Sequence, residues 1–217
     1  MKNKIIAIVF SLLGTVCLCS PIKSMLGADR MEIVDGFPEF TYIEDGLVWM
    51  WSQNDGELLD EKELSMQLID MYNGGDFTID IAYVNSDTSV TGPQIGINGF
   101  NCLVIGPRNA ASTGQTPIPR PYMRYDATDH WITYQYPNPL RLAMSATLSS
   151  VIRYWGETSR ASTVERSIVA TSAAIYNKNS LGKNKIACIL IYDRALSEDE
   201  MQYNYMIHKL EFGNDNQ

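Results

Sequence analysis

The chain has 217 residues, 45% of them hydrophobic and 19% charged, and its 25 Asp and Glu outnumber 17 Lys and Arg for a net charge of -8. That length buries one good core, and an all-β sandwich of this size is one domain. No Lys/Arg cluster interrupts the acidic field, so polyanions are repelled: nucleic acid is excluded as the expected partner, while neutral glycans and proteins stay open.

The first thirty residues read MKNKIIAIVFSLLGTVCLCSPIKSMLGADR, with Lys2 and Lys4 ahead of an apolar run from Ile5 to Val16 that continues through Cys19. The run is too short to span a bilayer comfortably and has the layout of a secretory leader. The expectation is a signal peptide or leader over residues 1–28, cleaved between Cys17 and Asp29. A lead-in follows over 29–40, then a folded domain over 41–213 and a tail over 214–217. The product is then secreted or held at the cell surface, with no stable transmembrane span after leader removal. No clean A-x-A site is present, which keeps an amino-terminal strand or anchoring peptide open, and Cys17 or Cys19 fits a lipobox poorly. Loss of the leader leaves Cys102 and Cys188. Both sit in apolar runs, where buried free thiols are the expected state and a disulfide the alternative.

From Phe40 onward, short β-rich runs are separated by Gly, Pro, Asn and Ser, the pattern of a sandwich or barrel. Glu61 to Tyr72 fits either a helix with Leu64, Leu68 and Met71 on one side or a strand plus loop. Phe77 to Val84 alternates large apolar residues with Thr78 and Asp80, which predicts one face on the core and the other toward solvent. Further strands are expected over Pro93–Asn98, Cys102–Gly106, Trp131–Tyr136, Leu140–Leu148 and Val151–Trp155. Asn109 to Arg120, polar and punctuated by Gly and Pro, reads as an exposed loop. Ile186 to Tyr192 is apolar at every position, as in a central strand covered on both faces. After it comes the most complete local signal in the chain. Ser197 and Glu200 form the S-x-x-E capping box, Leu196 is placed to staple Met201, and Glu198, Asp199 and Glu200 favour the positive end of the helix dipole. Met201, Tyr205 and His208, continued by Leu210, are expected to share the buried face.

The segment Ile191-Tyr192-Asp193-Arg194-Ala195-Leu196-Ser197, with Glu200, Asn204 and Tyr205, resembles the closing segment of laminin-G-like, concanavalin A-like jelly-roll domains of bacterial surface proteins and of phage or prophage proteins. Tyr42 to Val48 is similar to the opening strand of such domains, and Phe77 to Asp80 to an early strand of their first sheet. The resemblance implies an all-β, two-sheet jelly-roll sandwich with one short C-terminal helix. Val151-Ile152-Arg153-Tyr154-Trp155-Gly156-Glu157 departs from the family pattern, which leaves the register there open.

Because this group includes glycoside hydrolases, a carboxylate pair is the chemistry to seek. No E-x-D occurs, His130 and His208 each stand alone, and no nucleophile elbow, phosphate loop or C-x-x-C is present. Asp45, Asp55, Asp76 and Asp87 lie in loop-like surroundings without the spacing of a calcium loop. The expectation is therefore no catalytic set, no metal and no cofactor. Aromatic residues give the one positive hint: Trp131, Tyr134 and Tyr136 cluster before Pro137-Asn138-Pro139 and are the ligand-binding nominees, through stacking on sugar rings. Trp49, Trp51 and Trp155 are expected in the core. The leading expectation is a non-catalytic binding module for a glycan or a surface protein ligand. A phage or prophage virion structural protein and a concanavalin A-like glycoside hydrolase are the alternatives.

Overall fold

The computed structural model describes residues 32–34, 37–39, 41–56, 58–84, 93–99, 101–110, 118–126, 128–131, 140–176 and 185–213. They belong to two compact units, Met1–Thr41 and Tyr42–Gln217. In the first unit the described part is an antiparallel hairpin of β1 (Glu32–Val34) and β2 (Phe37–Glu39), with Glu32 opposite Glu39. The expected leader over residues 1–28 lies outside the described residues. Among those described, no helix is long and apolar enough to cross a membrane.

The second unit is a two-sheet antiparallel β-sandwich. Its strands are β3 (Leu47–Ser52), β4 (Phe77–Val84), β5 (Gln94–Ile97), β6 (Leu103–Ala110), β7 (Ile118–Tyr125), β8 (Thr128–Trp131), β9 (Leu140–Ala146), β10 (Ser150–Trp155), β11 (Thr158–Thr163), β12 (Ala173–Tyr176) and β13 (Lys185–Tyr192). One sheet has six strands in the order β11-β10-β9-β4-β13-β3, the other five in the order β12-β5-β6-β7-β8. β6 packs over β9 and β7 over β10, so the two strand orders set β8 opposite β11 and β12 toward β13. The interior is built by the inward positions of both sheets, among them Ile79, Ile81, Leu142, Met144, Ile189 and Ile191 against Ile95, Leu103, Ile105 and Met123, all fully buried.

Two helices close the sandwich. Glu61–Gly74, the segment whose sequence fitted helix or strand, is helix α1. Asp60 caps it by accepting from the amides of Lys62 and Glu63, and Leu64, Leu68, Met71 and Tyr72 enter the core. A side chain as enclosed as Leu68 contributes about 2–5 kcal/mol against alanine. The irregular segment 164–172, on its way from β11 to β12, straps the end of α1. Arg166 donates to the carbonyls of Tyr72 and Gly75, a cation at the negative end of the helix dipole, and Asn73 exchanges two hydrogen bonds with the backbone of Ala170. Helix α2 (Glu198–Phe212) packs on the outer face of the six-stranded sheet, and its capping box has both reciprocal bonds.

That placement corrects the expectation for β4. All eight of its residues are buried, because α2 covers the face that carries Thr78 and Asp80. Period-two alternation distinguishes two faces but not water from a polar interface beneath a helix. Leu210 is also corrected: it is 54% exposed, while Ile207 and Phe212 are buried beside Met201, Tyr205 and His208. The stretch Asn109–Arg120, expected to be loop, is entered by both β6 and β7, which pair Asn109 with Pro119 and Ala110 with Ile118. Main-chain pairing extends the hairpin where the side chains give no apolar signal. Of the strand expected over Trp131–Tyr136, only Trp131 is described, as the last residue of β8 (Thr128–Trp131); the remainder lies outside the described residues. Cys102 and Cys188 are free thiols, both buried, one in the core between the sheets and the other on the outer face of β13.

Candidate functional site

The densest set of ionisable groups lies between α2 and the six-stranded sheet. On β4, Asp80 accepts from Arg141 on the neighbouring strand β9 in a two-point clasp, Nε to Oδ1 at 2.9 Å and Nη2 to Oδ2 at 3.0 Å. Both side chains are completely enclosed. Arg141 also donates from Nη1 to the Gly156 carbonyl at 3.3 Å and stands 5.0 Å from the Tyr154 ring centre and 5.7 Å from that of Tyr205. From the helix, His208 brings Nε2 to 3.4 Å from Asp80 Oδ1, long for a hydrogen bond but close for a charge contact. Its Nδ1 meets the Tyr42 hydroxyl at 3.0 Å, and that hydroxyl donates to Glu211 at 2.9 Å.

Burial alone would raise the Asp80 pKa, yet the charges of Arg141 and His208 outweigh it and hold the carboxyl at about 2. Burial also pushes the Tyr42 phenol and the Cys188 thiol well up, so neither is a nucleophile near neutral pH. The chain from Asp80 to Glu211 has the residue types of a proton relay, but its central members are sealed beneath a helix. It anchors that helix. His208, expected to stand alone, is a packed imidazole within this network.

The family-like closing segment serves the same anchoring. Thr78 donates its hydroxyl to the Arg194 carbonyl and accepts from the Leu196 amide, and Ser145 donates to the Leu196 carbonyl. Asn204 donates to the Tyr192 hydroxyl while its carbonyl accepts from the Ile43 amide. Arg194 makes a bidentate pair with Glu200 and reaches the Asp45 carbonyl and carboxylate, tying the opening turn to the last helix. Gly46 in that turn has φ +75°, and a Cβ there would stand 2.8 Å from the Arg194 side chain. The hydrogen bonds from Arg194, with those from Ser197, hold the Glu200 carboxyl at about 2 despite partial burial.

A shallow depression of 190 Å³ is lined by Val48, Gln67, Asp70, Met71, Asp76 and Asp193 among others. It is smaller than the 300–1,000 Å³ common for small-molecule sites. Of the loop acids considered for calcium, Asp45 pairs with Arg194, Asp55 lies in a 3-10 turn, Asp76 lines this depression, and Asp87 is outside the described residues. Among the described residues no group of three or more His, Cys, Asp or Glu is placed to hold a metal.

Of the aromatic nominees, Tyr134 and Tyr136 lie outside the described residues, and Trp131 is the last position of β8, an edge strand. Its register partner is Tyr122, on the face opposite the core residues Met123 and Tyr125. Across the sheet, Trp131 and Tyr122 are continued by Gly106 on β6, and at the other edge Tyr176 pairs with Gln94. Tyr122 and Gln94 are buried, and the Gln94 amide donates to the Pro107 carbonyl. Trp49, Trp51 and Trp155 are partly buried against the core.

Sequence reasoning singled out neither Asp80 as a buried acid nor Arg141 and Arg153 as its counterparts on the two faces of the sheet. Arg153, on β10, points to the inner face beside Met144 and is 1% exposed. Its Nη1 donates to Ser162 on β11 at 3.0 Å, whereas Nε and Nη2 have no hydrogen-bond partner among the described residues. The available signal was a charge within an otherwise apolar strand, seen in both FTIDIAYV and SVIRYW.

No protein-family model and no curated protein matches the chain. Among solved structures it is similar to a Trypanosoma rangeli sialidase in complex with 2,3-difluorosialic acid (14% identity, TM-score 0.44, 64% of this chain and 24% of that one). It is also similar to the binding domain of Botulinum neurotoxin DC in complex with rat synaptotagmin II (10%, 0.44, 65% and 38%). A third is domain 4 of a GH43 extracellular arabinanase from Geobacillus stearothermophilus in complex with arabinotriose (14%, 0.41, 59% and 65%). The chain spans less than two thirds of each of these structures. At such identities and scores the likeness carries nothing about ligand or activity.

Proposed function

We propose that this protein is an exported, non-catalytic binding module that recognises a carbohydrate, or a protein ligand at a surface, along the β8 edge of its five-stranded sheet. The supporting observation is the pairing of Trp131 with Tyr122 at the edge strand β8, and of Tyr176 with Gln94 at the edge strand β12. Aromatic rings in general stack their flat apolar faces on the C–H surface of a sugar. The absence of catalysis is supported by what occupies the acids: Asp80 is clasped by Arg141, and Glu200 serves the helix cap and Arg194. Glycosidic cleavage needs two carboxyl groups held across an accessible bond.

A glycan panel with parallel assay for new reducing ends tests the reading. Binding without cleavage is expected, with Trp131→Ala weakening it by roughly 1–3 kcal/mol, by analogy with bases stacked on aromatic side chains, at an unchanged unfolding midpoint. New reducing ends that one carboxylate substitution abolishes would restore the hydrolase alternative. Neither binding nor cleavage across the panel would favour the virion structural one.

A further inference from the structure

The two buried arginines of the six-stranded sheet form an internal comparison. Arg141 grips Asp80 with its Nε and Nη2, the two N–H groups on one edge of the guanidinium, and two carboxylate oxygens match that edge at 2.9 and 3.0 Å. Arg153, one strand away and on the opposite face, has the same Nε/Nη2 edge, equally enclosed and with no hydrogen-bond partner among the described residues. Its other terminal nitrogen is fixed by Ser162, so the guanidinium is held in place. We infer that Arg153 is a carboxylate-recognition residue, taking the acid group of a carboxylate-bearing sugar such as a uronic acid at the side of the sandwich bounded by β10, β11 and β8.

The surroundings suit an anion. Arg160 is the register partner of Arg153 on β11, and it is exposed, placing a second positive charge at the rim. Tyr125, inward-facing on β7, which packs over β10, has a buried hydroxyl with no hydrogen-bond partner among the described residues. Burial depresses the Arg153 pKa, and the neighbouring charge of Arg160 adds to this. A partner anion relieves both effects. A lone enclosed guanidinium is a cost that structural needs alone do not explain, whereas sites for ligands retain such groups. β8 and β11 are the end strands of their sheets, and among the described residues no backbone ladder joins them. The net charge of the whole chain is -8, so attraction for an acidic sugar has to come from local cations such as Arg153 and Arg160.

Assigning the carboxylate to a sugar rests on the binding-module reading above, and the test separates the two. Titration calorimetry on the full chain compares trigalacturonate, its methyl ester and neutral galactotriose. The acid is expected to bind at least about tenfold more tightly than the ester, since a bidentate charged pair is lost on esterification. Arg153→Met should abolish that preference while keeping the fold. Arg153→Lys, which keeps the charge but not the planar fork, should lose most of it and decides the matter if the Met variant fails to fold. Equal binding of acid and ester, or a preference that survives both substitutions, overturns the role of Arg153 and leaves the module reading standing. Binding of none of the three sugars overturns this inference together with its assignment to a glycan.

Discussion

The outer and inner faces of the six-stranded sheet each bury an arginine, and they treat it in opposite ways. Beneath α2, Arg141 is satisfied by Asp80, the Gly156 carbonyl and two aromatic faces. Between the sheets, Arg153 has Ser162 and, among the described residues, no partner for its remaining edge. A buried charge with its partner fixes a helix in register; a buried charge with no partner among the described residues leaves room for one from outside. The first arrangement belongs to stability, the second to recognition.

Breaking the first arrangement should have the largest effect. Asp80→Asn removes the carboxylate and strands Arg141 in the interior, with an expected loss of about 3–5 kcal/mol in a urea unfolding curve. Replacing both partners together by Leu and Met should cost far less than the single change, because no uncompensated charge is left. Equal losses in the single and double variants would show that packing, not charge pairing, holds α2 there.

The same pair sets a pH dependence. The Asp80 carboxyl is held at about 2 in the folded state, below an unfolded value near ~4, so its contribution is fully present above that unfolded value. It is lost as the pH falls through the interval between the two. The unfolding midpoint is therefore expected to drop between about pH 4 and pH 2 in the wild type, and that part of the drop should be missing in Asp80→Asn. A profile unchanged by the substitution would remove Asp80 from the account.

The cap is a smaller effect. Ser197→Ala should lower stability by about 1 kcal/mol, since the hydroxyl accepts the Glu200 amide at the start of α2. It should leave ligand binding untouched. Smaller still, Leu210→Ala is expected to stay within ±0.5 kcal/mol, as surface changes do, because that side chain faces outward. A loss near 2 kcal/mol would return Leu210 to the buried face that periodicity first gave it.

What could be read from the sequence follows the range of the physics involved. The closing strand and capped helix were legible because capping chemistry acts within three residues, and the observed box has both of its bonds. The free state of the two cysteines followed from their apolar runs. The sequence of α1 fits helix or strand, since its apolar residues match a short stretch of either period and only the packing of Leu64, Leu68, Met71 and Tyr72 into the core decides it. Asp80 was misread as solvent-facing because its partner Arg141 is 61 residues away and the covering helix lies at the other end of the chain. The departure at residues 151–157 was visible, but no periodicity tells that Arg153 faces the interior and Tyr154 the helix side. Of the aromatic nominees, Trp131 is placed at a sheet edge by its register, which is as far as strand pairing reaches.

Hydrogen exchange of the full chain with and without trigalacturonate tests the central division most directly. The account expects added protection at β8, β10 and β11 and unchanged exchange in β4 and α2. Protection concentrated in α2, or around the depression formed by Asp70, Asp76 and Asp193, would contradict it by moving recognition to the side assigned here to structure alone.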